Sequence, residues 1–219
     1  SIGTGQIGEN VRFVFDYARK GPNAPATLVG KFPSDSPESL MTAKLLGHYE
    51  REVKFYRTFP KVAGVITPAA FYTDYDPDTN RFALIMEDMA PSEQGDQLQG
   101  CSVAEAERAL SAAAVLHAAY WNDPSLDTHA WLQGSDLAPP PALTPEAVSG
   151  LWHGFKDRYG ERLEADDILV GDAYAAALPA WSEGYDGPHA LTHNDFRLDN
   201  MLFGADAAPK PLAVVDWQT

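Results

Sequence analysis

Cysteine is almost missing: Cys101 is the only one in 219 residues. No internal disulfide can form, and a reducing, cytoplasmic setting is the expectation. Basic charge is also scarce, with 16 Lys and Arg against 31 Asp and Glu and a net charge of −15. That balance argues against a nucleic-acid partner and against docking on anionic lipid through a basic patch. It is compatible with a cationic substrate, but a well-solvated acidic surface is the simpler account of it. No apolar run approaches the ~20 residues needed to span a membrane, and no charged-then-apolar leader opens the sequence. Internal repeats and low-complexity tracts are absent as well. What is there, 45% hydrophobic and 21% charged residues, suits one large globular domain or two small lobes with a real core.

Alternation marks Val11 to Tyr17 as a half-buried strand, and Ala26 to Phe32 as a second, carrying Lys31. Ser36-Pro37 supplies an N-cap and a first-turn proline for a helix expected to run to about Thr58. Pro68 to Tyr75 and Arg81 to Glu87 read as two strands around an Asp76-Pro77-Asp78 turn. Polar, Gly-containing residues from Ala90 to Gly100 read as a linker. Ser102 and Glu105 then form a capping box, and Val103, Ala106, Leu110, Ala113, His117 and Tyr120 mark one helical face. Two more helical patterns follow, from Thr144-Pro145 to Tyr159 and from Asp166 to Trp181. Short strands are expected at Met201 to Phe203 and Leu212 to Val215. The change from mostly strand to mostly helix places a lobe boundary near residue 90.

The chemistry is concentrated near the end, in His193-Asn194-Asp195-Phe196-Arg197-Leu198-Asp199-Asn200 and in Val214-Val215-Asp216-Trp217-Gln218. An H-x-D-x-x-x-x-N spacing followed by an Asp at a strand end suits phosphoryl transfer. Asp195 can orient or accept the proton of an attacking hydroxyl. Asn200 and Asp216 can hold Mg²⁺, which takes few protein oxygens and leaves the rest of its octahedron to phosphates and water. Singly, each residue reads equally well as a turn former; their joint spacing does not. Arg197 can neutralise a transferring phosphoryl group or simply stand on the surface.

These motifs, the Lys31 strand, the Glu-bearing helix and Ile85-Met86-Glu87-Asp88-Met89 occur in an order that resembles the aminoglycoside phosphotransferase-like kinases, a group that includes choline kinases and ecdysteroid-kinase-like proteins. The resemblance implies an α+β, two-lobed protein-kinase-like fold: a nucleotide-binding lobe at 1–88 with a small antiparallel sheet, and a helical lobe at 89–219. The sequence looks truncated at both ends relative to that family. The resemblance implies that Lys31 binds the α- and β-phosphates of ATP and is held by a helix Glu. Glu50 and Glu52 compete for that role. On one continuous helix, Leu45, Tyr49, Glu52 and Tyr56 share a stripe while Glu50 points away, so Glu52 is the choice. The resemblance also implies a hinge at Met86, Glu87 and Met89, with the Glu87 carbonyl and Met89 amide reading adenine and Met86 lining the pocket. Gly3 and Gly5 could cover the phosphates, although a short Gly-rich run by itself often marks only a flexible end. His193 and His117 read as structural residues.

The expectation is therefore a kinase that moves the γ-phosphoryl of MgATP to a hydroxyl of a small molecule, resembling an aminoglycoside, amino alcohol or steroid. Asp216-Trp217-Gln218, in place of Asp-Phe-Gly and with no activation segment, points away from protein substrates. A catalytically silent nucleotide-binding pseudokinase is the alternative. A metallohydrolase using His193, Asp195 and Asp216 is a third reading, but it gives Lys31 and Glu52 no task.

Overall fold

The computed structural model describes residues 7–62, 64–132, 144–184, 186–204 and 210–218. Gly3 and Gly5 lie outside the described residues. By compactness the chain divides into a larger unit, 1–121 with 190–219, and a smaller one, 122–189.

The larger unit begins with a four-stranded antiparallel sheet. Its strands are β1 (Gly8–Val14), β2 (Thr27–Pro33), β3 (Ala70–Asp76) and β4 (Arg81–Glu87), in the order β1-β2-β4-β3. The register sets Asn10 opposite Lys31 and Arg12 opposite Val29. It also pairs Val29 with Met86 and Lys31 with Leu84. Two helices follow β2 where the sequence pattern suggested one: α1 (Pro37–Leu46) and α2 (His48–Thr58). Gly47 separates them at φ 69°, a left-handed conformation that glycine adopts without a Cβ penalty and that ends a helix. The break takes Leu45 out of the expected stripe, leaving it half exposed, while Tyr49, Glu52 and Tyr56 remain buried. Tyr49 stacks on Phe82 of β4 at 4.4 Å between ring centroids, which fixes α2 against the sheet.

The segment 90–100 is more than a linker. It contributes β5 (Glu93–Gln94), the outer strand of a second antiparallel sheet with β6 (Met201–Phe203) and β7 (Leu212–Val214). Helix α3 (Val103–Ala119) starts from the expected Ser102–Glu105 capping box. Its buried face, however, centres on Ala109 and Leu116, whereas Val103 and Leu110 are exposed. The apolar positions of this Ala-rich helix are too evenly spread for side-chain type alone to fix the rotation. Ala109 packs with Met201 and Leu212, so α3 supports β6 and β7. His117 is half-buried.

The smaller unit contains α4 (Pro145–Tyr159) and α5 (Ala165–Gly184), close to the expected spans. Trp152 Nε1 donates to Asp172 at 2.8 Å, and Lys156 pairs with the same carboxylate. No described helix is long and apolar enough to cross a membrane. The whole is a mixed α+β architecture of kinase-like type, as the motif order implied.

Candidate active site

A cleft of about 510 Å³ lies within the larger unit. It is bounded by β1, β2, α2, the end of β4, the loop after it, and the two C-terminal motifs. Lys31, Glu52, Met86, Glu87, Met89, Asp195, Arg197, Asn200 and Asp216 all line it. The side chains singled out by sequence thus share one cavity, apart from the two glycines outside the described residues.

Lys31 is the centre of its charge. Its Nζ lies 2.9 Å from Glu52 Oε1, and it also pairs directly with Asp216. Glu50 turns away and pairs with Lys54 one turn along the helix. Burial by itself would lower the Lys31 pKa, but Glu52 and Asp216 together push it above its ordinary value. Burial pushes Glu52 the other way for an acid, up to about 7; Lys31 opposes this and Asp216 adds to it. The two shifts differ in cause: burial raises Glu52 against the pull of Lys31, whereas the two carboxylates raise Lys31 against burial.

The loop from His193 to Asn200 is fixed by tight turns. Asn194 has φ 62° and Asp216 has φ 69°, in a region costly for most residues and tolerated by Asn and Asp. The amides of Asp195 and Arg197 donate to the carbonyls two residues earlier, at 2.9 and 3.0 Å. His193 Nε2 donates to the Val215 carbonyl at 2.8 Å, which joins the two motifs. Burial pulls the His193 pKa down, so the ring is neutral and structural. Trp217 stacks on Phe55 of α2 at 4.1 Å and meets the His193 ring at 4.5 Å, so it belongs to the core beneath the site.

Asp195 Oδ2 accepts Asn200 Nδ2 at 2.9 Å and Arg197 Nε at 3.2 Å. Because Asn200 uses its amide nitrogen on Asp195, its carbonyl oxygen is the atom suited to a cation. Asp216 supplies a second hard oxygen. Asn200 and Asp216 therefore fit Mg²⁺, which needs one or two protein oxygens beside phosphates. No three His, Cys, Asp or Glu side chains converge as a metal site among the described residues.

At the other end of the cleft, Met86 and Met89 are buried. The Glu87 side chain pairs with Lys210 and its amide donates to Ala69 at 2.8 Å. Sequence reasoning missed several lining residues. Arg12 forks onto Asp88 at 2.7 and 3.1 Å, tying β1 to the end of β4. Strand alternation was the available signal, since Gly8, Asn10 and Arg12 share one face. His48 also lines the cleft. It sits four residues before Glu52, so extending the Glu52–Tyr56 stripe backwards would have found it.

No curated protein gives a significant match to this chain. A family model does match over residues 16–219, and the chain belongs to the family it describes, APH, the phosphotransferase enzyme family.

Proposed function

We propose that this phosphotransferase transfers the γ-phosphoryl group of MgATP to a hydroxyl group of a small molecule. The observation that carries the reading is the single Lys31 ammonium, held by Glu52 and Asp216 in the cleft that also holds Asp195 and Asn200. A buried cation with a fixed helix partner is what the α- and β-phosphates of a nucleotide need. Residues 1–88 form the nucleotide lobe in this reading and 89–219 the helical lobe. The Glu87 carbonyl and Met89 amide take the adenine edge beside Met86.

Asn200 and Asp216 would hold Mg²⁺, which would offset charge on the phosphate oxygens. Asp195 Oδ1 receives the acceptor hydroxyl, orients it and takes up its proton as the acceptor oxygen bonds the γ-phosphorus and the bond to the β-phosphate oxygen breaks, with ADP as the leaving group. Arg197, beside Asp195 in the cleft lining, neutralises charge on the transferring group. The protein's contribution is positioning and electrostatics, since the phosphoryl group passes directly between oxygens. The net charge of −15 suits a cationic acceptor at least as well as a neutral one.

The test is MgATP consumption in the presence of a panel of hydroxylated amines, antibiotics and sterols, comparing wild type with Asp195→Ala. Acceptor-dependent turnover that disappears in the variant supports the reading. Equal rates in both proteins would overturn the mechanism, and MgATP binding without any turnover would favour the silent pseudokinase.

A further inference from the structure

Asp199 lies one residue before Asn200, and its two carboxylate oxygens have separate partners. Oδ1 accepts the main-chain N–H of Gln97 at 3.1 Å. Oδ2 lies 3.2 Å from Arg197 Nη1. The Asp199 carbonyl also accepts Gln94 Nε2 at 2.6 Å, and the Gln97 side chain accepts Leu198 N–H at 3.2 Å. Asp199 is thus anchored from outside its own loop, by the segment containing β5. Arg197, in turn, has carboxylates on both sides, with Nε 3.2 Å from Asp195 Oδ2. An arginine held by one partly exposed carboxylate keeps its torsional freedom. A guanidinium fork bridging two carboxylates has its plane fixed.

We propose that Asp199 is a positioning residue for phosphoryl transfer, holding the Arg197 guanidinium against the outer oxygen of Asp195. With Oδ2 of Asp195 covered by Arg197 and Asn200, the carboxylate turns Oδ1 toward the acceptor. The inference rests on the kinase reading above and assigns the aim of Arg197 to Asp199. If Asp199 only strapped the loop, its bond to Gln97 would suffice and Arg197 would behave independently of it. The side chains of Arg197 and Asp199 are 48% and 33% exposed, too open for the pair to contribute much stability. Its effect belongs in turnover.

The deciding variant is Asp199→Asn, which keeps an oxygen for Gln97 and removes the charge facing Arg197. Two readouts are compared, with MgATP as the probe and water as the acceptor. One is the ¹⁵N–¹H signal of the Arg197 Nε–H, assigned by its loss in Arg197→Gln. It should shift and exchange faster in Asp199→Asn, with the melting temperature unchanged. The other is a double-mutant cycle on kcat. Asp199→Asn should lower kcat roughly tenfold, the scale of a misaimed reacting group, with KM for MgATP unchanged. The same substitution in the Arg197→Gln background should change kcat little. An Arg197 signal unmoved by Asp199→Asn, or additive losses in the cycle, overturns the inference while leaving the kinase reading intact. A wild-type protein that binds MgATP but turns it over neither with water nor with any member of the hydroxylated panel sinks the kinase reading, and the catalytic role of Asp199 falls with it.

Discussion

Lys31 and Asp216 are in direct ionic contact across 185 residues of sequence. The same Lys31 ammonium is 2.9 Å from Glu52, whose side chain is 1% exposed. One ammonium therefore serves a carboxylate from α2 and a carboxylate just past the end of β7.

The triad makes the variants unequal. Lys31→Met leaves Glu52 buried without a cation, and breaking a buried pair from one side typically costs about 3–5 kcal/mol. Glu52→Gln leaves Lys31 its contact with Asp216 and should cost less. Urea unfolding at pH 8 measures both, and a larger loss for Glu52→Gln would contradict this account. Both variants should weaken MgATP binding, Lys31→Met the more severely.

The Glu52 shift carries a pH signature. Its folded pKa of about 7 lies above the ordinary 4.5, so between those values the native state holds a proton that the unfolded chain has lost. Stability from this group is complete below about pH 4.5 and is lost as pH rises through 7, by about 3 kcal/mol over the full window. His48 and His193 act in the opposite sense, because burial lowers both and their contribution grows as pH rises toward the ordinary histidine range. The clean measurement is the difference between wild type and Glu52→Gln. Melting curves at pH 5 and pH 7.5 should show wild type losing its advantage over the variant at the higher pH; a constant gap would refute the shift.

Asp195→Asn should separate binding from chemistry. The amide keeps an oxygen beside Asn200 and Arg197, so the cleft retains its shape, but it cannot take up the acceptor proton. Turnover should fall about 10²–10⁴-fold, while the dissociation constant for MgATP, read by calorimetry, changes little. An equal loss of affinity would assign Asp195 to nucleotide binding instead.

What the sequence made legible follows from the range of each signal. The convergence of Asp195, Asn200 and Asp216 on one cleft was readable because their spacing along the chain is itself the geometry. Glu52 was readable because helix periodicity decides its direction, even though the assumed single helix breaks at Gly47. Arg12 and His48 followed from the same periodicities, but only once the cleft-facing side of β1 and α2 was known. The face of α3 was misread because its alanines bury or expose at little cost, so the packing of β6 and β7 decides its rotation. The 90–100 segment was opaque for another reason. Its hydrogen bonds run to residues about 100 positions away, and a two-residue strand leaves no period to detect.

That segment yields a prediction that the cleft residues alone would not. The Gly95 amide donates to the Met201 carbonyl at 3.0 Å, which brings its backbone against the H-x-D loop. A Cβ at Gly95 would stand 2.7 Å from the Leu198 carbonyl oxygen and 3.1 Å from Leu198 Cβ. The nearest atom is backbone, so no side-chain rotation can relieve the clash, and the loop itself must move. Leu198 lies between Arg197 and Asp199 and opens the turn that presents Asn200. Gly95→Ala should therefore displace Asn200 and Arg197 relative to Asp195 while leaving Lys31, Glu52 and Met86 untouched. The expected result is a fall in kcat of roughly ten- to a hundredfold with KM for MgATP within about twofold of wild type. Steady-state kinetics on MgATP turnover measures the split, and thermal melting controls for global unfolding. A variant with wild-type kcat would mean that the loop yields at Gly95 without disturbing the site, so that the strap at β5 plays no part in positioning it.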